Sequence, residues 1–157
     1  MARLILLSLA ALSLLAAQAP PVQVPLWFDT EDPIEPASDD AAPRLASDLM
    51  ALGVRGAFKT VAEKACALER RGRRDVIHAL SRHDIGYHTE NHGIPPTPAV
   101  CLNGLGFYEG AAEFNRREGP GAAGARRIFG IVPRCNWRPG SSWGPRANLG
   151  LRHTSIS

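Results

Sequence analysis

The sequence predicts an α/β fold built on a parallel sheet, open or barrel-like. Short apolar runs with strand character alternate with segments of helical periodicity along the chain. The 157 residues, 45% hydrophobic and 21% charged, have ordinary globular composition and suit one domain. Two clusters of chemistry-bearing residues sit where predicted strands end, as ligand-handling groups do in parallel α/β folds.

Residues 2–19, ARLILLSLAALSLLAAQA, stand outside that fold. Arg3 precedes an uncharged apolar run from Leu4 to Ala17, and Ala17 and Ala19 form an A-x-A pattern. This is the layout of a secretory signal peptide at 1–19. Export to the periplasm or the medium is expected, with a single domain at 20–157. Pro20 disfavours a cut after Ala19, and cleavage after Ala17 is the alternative. The run falls short of the ~20 apolar residues of a spanning helix, so no stable membrane insertion is expected.

Val22 to Phe28 reads as a buried strand opening into the acidic loop Asp29-Thr30-Glu31-Asp32. Ser38-Asp39-Asp40 offers an N-cap to a helix carrying Leu45, Leu49, Met50 and Leu52, stopped by Gly53. Val54 to Val61 reads as a second strand. Ala62 to Leu80 is helical, with an interruption near Gly72. Asp84 to His88 is a third short strand leading into a Gly/Pro-rich loop at 93–98. Residues 99–118 are weakly helical, and 128–136 form a fourth strand. The turn-rich RPGSSWGP follows, then a short helix at 145–150 and the start of a fifth strand to Ile156.

The net charge of +3 is too small for a dedicated nucleic-acid binder. Aromatics at 6% also exclude a stacking platform for single strands. The charge is unevenly spread: residues 116–157 carry eight Arg and one acid, Glu118. A solvated basic surface is the expectation for that block. Cys66, Cys101 and Cys135 match no metal-knuckle spacing and read as small buried hydrophobes.

The chemistry lies in Asp29-Thr30-Glu31-Asp32 and in His88-Thr89-Glu90-Asn91-His92. Two His residues four apart share one side of a helical turn. Neutral imidazoles joined by a carboxylate make a zinc-type site with an open position for water. A second carboxylate nearby then serves as general base. Gly104-Leu105-Gly106 lacks the dinucleotide spacing, and Ser141 and Ser142 lack the frame of a hydrolase nucleophile.

The acid loop, the stretch GAFKTVAEKA (56–65) and HDIGYHTENH (83–92) together resemble the polysaccharide deacetylase family, carbohydrate esterase family 4. His88 to His92 fits that family's H-[ST]-x-x-H in full, and Asp84-Ile85-Gly86 resembles its lead-in. Lys59 stands where the family's second strand is apolar. The resemblance spans roughly 22–157 and is strongest over 22–92.

The resemblance implies a distorted (β/α) barrel and a divalent metal, commonly zinc. It gives Asp29 the role of base and His88 and His92 that of metal ligands. The third ligand is Glu31 or Asp32. Strand alternation favours Glu31; a strand that has already turned places Asp32 equally well, and its shorter side chain, better suited to the family's carboxylate, tips the expectation to Asp32. Thr89 steadies the loop. Trp137-Arg138-Pro139-Gly140 loosely resembles the third motif, in which Arg138 orients the catalytic acid or is a surface residue. Leu151-Arg152-His153 spells the family's L-x-H but follows the third motif too closely.

About five strands are expected, against about eight in a closed barrel. An incomplete barrel of this kind leaves a sheet edge prone to self-association. The implied reaction is removal of N-acetyl groups from a sugar polymer or related amide. The alternatives are a carbohydrate- or wall-binding remnant without the general acid, and a hydrolase of small cyclic amides.

Overall fold

The computed structural model describes residues 22–133, 135–136 and 145–152. The expected leader at 1–19 and residues Trp137, Arg138, Trp143 and His153 lie outside the described residues, as does the end of the expected fifth strand.

Three parallel strands form the sheet, β1 (Trp27–Thr30), β2 (Ala57–Thr60) and β3 (Asp84–Tyr87), in that spatial order. Between and after them run α1 (Ser38–Ala51), α2 (Ala62–Arg70), α3 (Arg74–Leu80), α4 (Pro98–Cys101), α5 (Phe107–Phe129) and α6 (Pro145–Arg152). No described helix is long and apolar enough to cross a membrane.

The register builds the molecule in rows. Phe28, Phe58 and Ile85 are lateral neighbours, and so are Asp29, Lys59 and Gly86. Successive residues of a strand face opposite sides of the sheet. The first row packs into a core with Leu49 of α1, Leu68 of α2 and Val76 and Leu80 of α3. A second cluster joins Tyr87 and Ala62 to Phe114 and Ala122 of α5 and Ala147 of α6. Helices therefore cover one face, and the row Asp29–Lys59–Gly86 belongs to the other.

The described residues hold a three-stranded sheet where the sequence predicts an incomplete barrel of about five strands. The expected fourth strand, 128–136, is divided. Ile128 and Phe129 end α5, because Phe114, Glu118, Ala122, Ala125 and Phe129 form one buried stripe at helical spacing. That stripe runs through Pro120, whose missing N–H and neighbouring glycines break the pattern in the sequence. Gly130, at φ 68°, takes the left-handed conformation that ends the helix. What remains of a fourth strand is one isolated parallel bridge, Tyr87 to Asn136, with the Tyr87 N–H donating to the Cys135 carbonyl at 2.9 Å.

β1 is also shorter than expected. Residues 22–26 run ahead of the paired segment, with Val22 88% and Val24 74% exposed. The helical stretch 62–80 divides into α2 and α3 at Gly72, as its interruption predicts. Gly150 begins no strand and lies within α6. Ser38 does not cap α1 as an acceptor; its hydroxyl donates to the carbonyls of Glu35 (2.7 Å) and Asp32 (3.1 Å), fixing the turn before the helix. The three thiols are half-buried, with no disulfide among them.

Candidate metal centre

The site assembles at the carboxyl ends of β1 and β3. Beyond β1 the chain continues through Glu31, which alternation places on the same side as Asp29. Beyond β3, the His88 N–H donates to the Thr60 carbonyl at 3.0 Å, so β2 still holds the chain there. The segment then bends sharply. Thr89 (φ 69°) and His92 (φ 52°) both take left-handed conformations that are uncommon outside glycine.

Hydrogen bonds to α2 and within the segment stabilise the bend. The Thr89 and Glu90 carbonyls accept the N–H groups of Ala62 and Glu63 at the start of α2, at 3.0 and 2.9 Å. The buried Thr89 hydroxyl oxygen accepts the His92 N–H at 3.2 Å. A loop, not the helical turn that the spacing predicts, thus brings the imidazoles together, with ring centroids 5.2 Å apart.

Glu31 completes the group. Its Oε2 lies 3.0 Å from His92 Nε2 and 3.6 Å from His88 Nε2. One donor atom from each of the three residues lies within 4.8 Å of the others. Ligands about 2.0–2.2 Å from a tetrahedral zinc are about 3.4 Å apart, so these spacings suit a divalent cation. Two imidazoles and one carboxylate are also the donor set of catalytic zinc sites, with a position left for water or substrate. His88 is buried, while the His92 and Glu31 side chains are 38% and 40% exposed, so the centre opens to solvent on one side.

Asp32 is placed differently. Its Oδ1 accepts the N–H groups of Ile34 (2.8 Å) and Glu35 (3.1 Å), closing an Asx-type turn. Those backbone bonds hold its carboxyl below the ordinary Asp range. The structure therefore brings Glu31, and not Asp32, to the histidine pair. Asp32 contributes its carbonyl, which accepts from Lys64 Nζ at 2.6 Å.

Lys64 belongs to a buried charge cluster that the sequence does not announce. Its Nζ also reaches Ser38 Oγ (2.6 Å) and Asp39 Oδ1 (2.5 Å), with both charged side chains 1% exposed. Arg71 adds a bond to Asp39 Oδ2 at 2.9 Å. Burial raises the Asp39 carboxyl, but the bonds from Lys64 and Arg71 outweigh it and hold it below the usual range. The cluster clamps the 31–38 loop to α2. Its partners lie 25 and 32 residues apart, so no local pattern reveals them.

Asp29 Oδ1 stands 3.7 Å from His88 Nε2 and 2.5 Å from Lys59 Nζ. The lysine noted in the sequence as a departure from an apolar strand thus pairs with the expected base. Beside the acid loop a cavity of about 250 Å³ opens, with Phe28, Leu45 and Phe58 as apolar lining and Glu31 and Lys64 among its polar lining residues.

Glu90, inside the histidine motif, serves the scaffold. Its N–H donates to Glu118 Oε2 at 2.7 Å, and the Tyr87 hydroxyl donates to the same oxygen at 2.8 Å. Burial, then the charges of Glu118 and Glu63, raise the Glu90 carboxyl. Burial and the nearby Glu118 push the Tyr87 phenol well above its ordinary value.

This architecture is a deacetylase-like α/β fold. The structure is similar to the deacetylase domain of BpsB from Bordetella bronchiseptica, with a TM-score of 0.56 over 87% of this chain at 12% identity. The chain spans 62% of that domain's length. No family model matches the sequence, and no curated protein matches it either.

Proposed function

We propose that this chain is an exported, metal-dependent amidohydrolase of the polysaccharide deacetylase type, with a leader at 1–19 and its working domain at 20–157. The observation that carries the reading is the convergence of Glu31, His88 and His92 donor atoms at strand ends. Likeness in fold to a deacetylase domain supports it.

In this reading His88, His92 and Glu31 hold a divalent cation, zinc by donor type. When bound, the cation supplies Lewis-acid polarisation of an amide carbonyl and acidifies water. Asp29 stands beside His88, takes the proton from the attacking water on its carboxylate and returns it to the amine nitrogen as the amide C–N bond breaks. Thr89 fixes the backbone of His92. Arg138, by the resemblance, orients the acid. The substrate is an N-acetylated sugar polymer or a related amide, and acetate is the product.

Metal analysis of the purified protein is expected to find about one divalent ion per chain. The double variant His88→Ala/His92→Ala is expected to lose it, and retention of the metal would overturn the reading. Acetate release from acetylated chito-oligomers tests the reaction. Binding of the oligomers without acetate release points instead to a non-catalytic wall-binding protein.

A further inference from the structure

We infer that Lys59 keeps Asp29 out of the metal's ligand set: it pins Asp29 on the sheet and leaves Glu31 to the cation. This rests on the Glu31–His88–His92 centre proposed above. The parallel register sets Lys59 between Asp29 and Gly86. Gly86 offers no side chain to compete for the ammonium group. Lys59 Nζ lies 2.5 Å from Asp29 Oδ1 and 6.0 Å from the Trp27 ring centroid, and its side chain is only 11% exposed.

Distance to His88 alone does not choose between the acids. Asp29 Oδ1 is 3.7 Å from His88 Nε2, and Glu31 Oε2 is 3.6 Å from it. Two things differ: Glu31 also reaches His92, at 3.0 Å, and Asp29 is the acid that Lys59 holds. An oxygen held by an ammonium ion at this range has much of its charge compensated, and burial of the lysine limits screening by salt. Glu31 has no Lys or Arg partner among the described residues. A cation therefore takes Glu31, and Asp29 stays free of the metal as the base. Lys59 is a positioning residue, since it acts through Asp29.

The test is cobalt binding to the full chain after chelator treatment, read as affinity and as visible absorption. Lys59→Met keeps the stem and removes the charge. It is expected to bind Co²⁺ about tenfold more tightly, the order expected for removing one nearby positive charge. Its absorption should weaken and shift as Asp29 joins and the coordination number rises. Lys59→Arg should keep the wild-type spectrum. Adding Asp29→Asn to Lys59→Met should restore it. If Lys59→Met does not fold, Lys59→Gln gives the same readout. A neutral variant with wild-type affinity and spectrum overturns the inference, as does a gain in affinity that survives Asp29→Asn with no spectral change. Wild-type protein that binds no Co²⁺ overturns instead the metal centre on which the inference rests.

Discussion

Thr89 is β-branched yet sits at φ 69°, a conformation such residues avoid. The surrounding bonds from Ala62, Glu63 and His92 hold it there, and strain of this kind clusters at functional sites. Its hydroxyl fixes the backbone of His92, so Thr89→Ala is expected to lower metal affinity about tenfold, in the range seen when a group supporting a ligand is removed. Thr89→Ser should retain it. Equal affinities for the two variants, by competition with a chelator, would remove the hydroxyl from the account. Lys64 acts through folding as well as through the site. Removing one partner of a buried pair costs about 3–5 kcal/mol, and Arg71 remains on Asp39, so Lys64→Met should cost roughly 3 kcal/mol in urea unfolding. The folded-state carboxyl of Asp39 titrates below its unfolded value. Its contribution is therefore complete above about pH 4 and is lost as pH falls through the lowered value. Asp39→Asn should flatten that acid limb of the stability curve. The chemistry-bearing residue types were legible in the chain as D-T-E-D and H-x-x-x-H. The choice of Glu31 was not, because it depends on Asp32 spending its carboxylate on its own turn.

At the level of elements, α5 shows how packing overrides local signals. Its 23 residues include Pro120, and the sequence pattern stops there. Burial of Phe114, Ala122, Ala125 and Phe129 along one stripe carries the helix through. Gly121 is where α5 meets the end of β3. A Cβ there would overlap Glu90 Oε2 and stand 2.7 Å from the Tyr87 hydroxyl. A Cβ at Gly124 meets nothing within 4 Å. Overpacking costs about 1–3 kcal/mol and an alanine gains up to about 1 kcal/mol in a helix. Gly121→Ala should therefore destabilise by about 1–2 kcal/mol, and Gly124→Ala should stabilise by about 0.5–1 kcal/mol. Thermal unfolding of the two variants checks the pair, and a stabilising Gly121→Ala would contradict the contact with Glu90 and Tyr87. The histidine segment gives the same lesson in reverse. Its i, i+4 spacing suggests a helix, but the bonds from Ala62, Glu63 and Glu118 fix it as a loop.

For the whole molecule, the described sheet has β1 at one edge, preceded by exposed Val22, Val24 and Leu26. A strand edge with apolar neighbours is a template for pairing with another chain. Sedimentation velocity is expected to show association that rises with concentration and that Val24→Lys/Leu26→Lys reduces; a monomer at all concentrations would refute this. The Arg-rich block is partly internal in its use. Arg127 pairs with Glu69 at 2.5 Å, and Arg117 and Arg146 donate to the Pro96 and Leu102 carbonyls. The sequence by itself determined the strand–helix alternation, the parallel α/β class and the two clusters at strand ends, because local periodicity and strand alternation are properties of neighbouring residues. Only the tertiary structure decided that three strands pair among the described residues, that Glu31 joins the histidines, and that Lys59 faces Asp29. Those outcomes rest on contacts between residues that lie about 30 or more positions apart, and no short stretch of the chain encodes them.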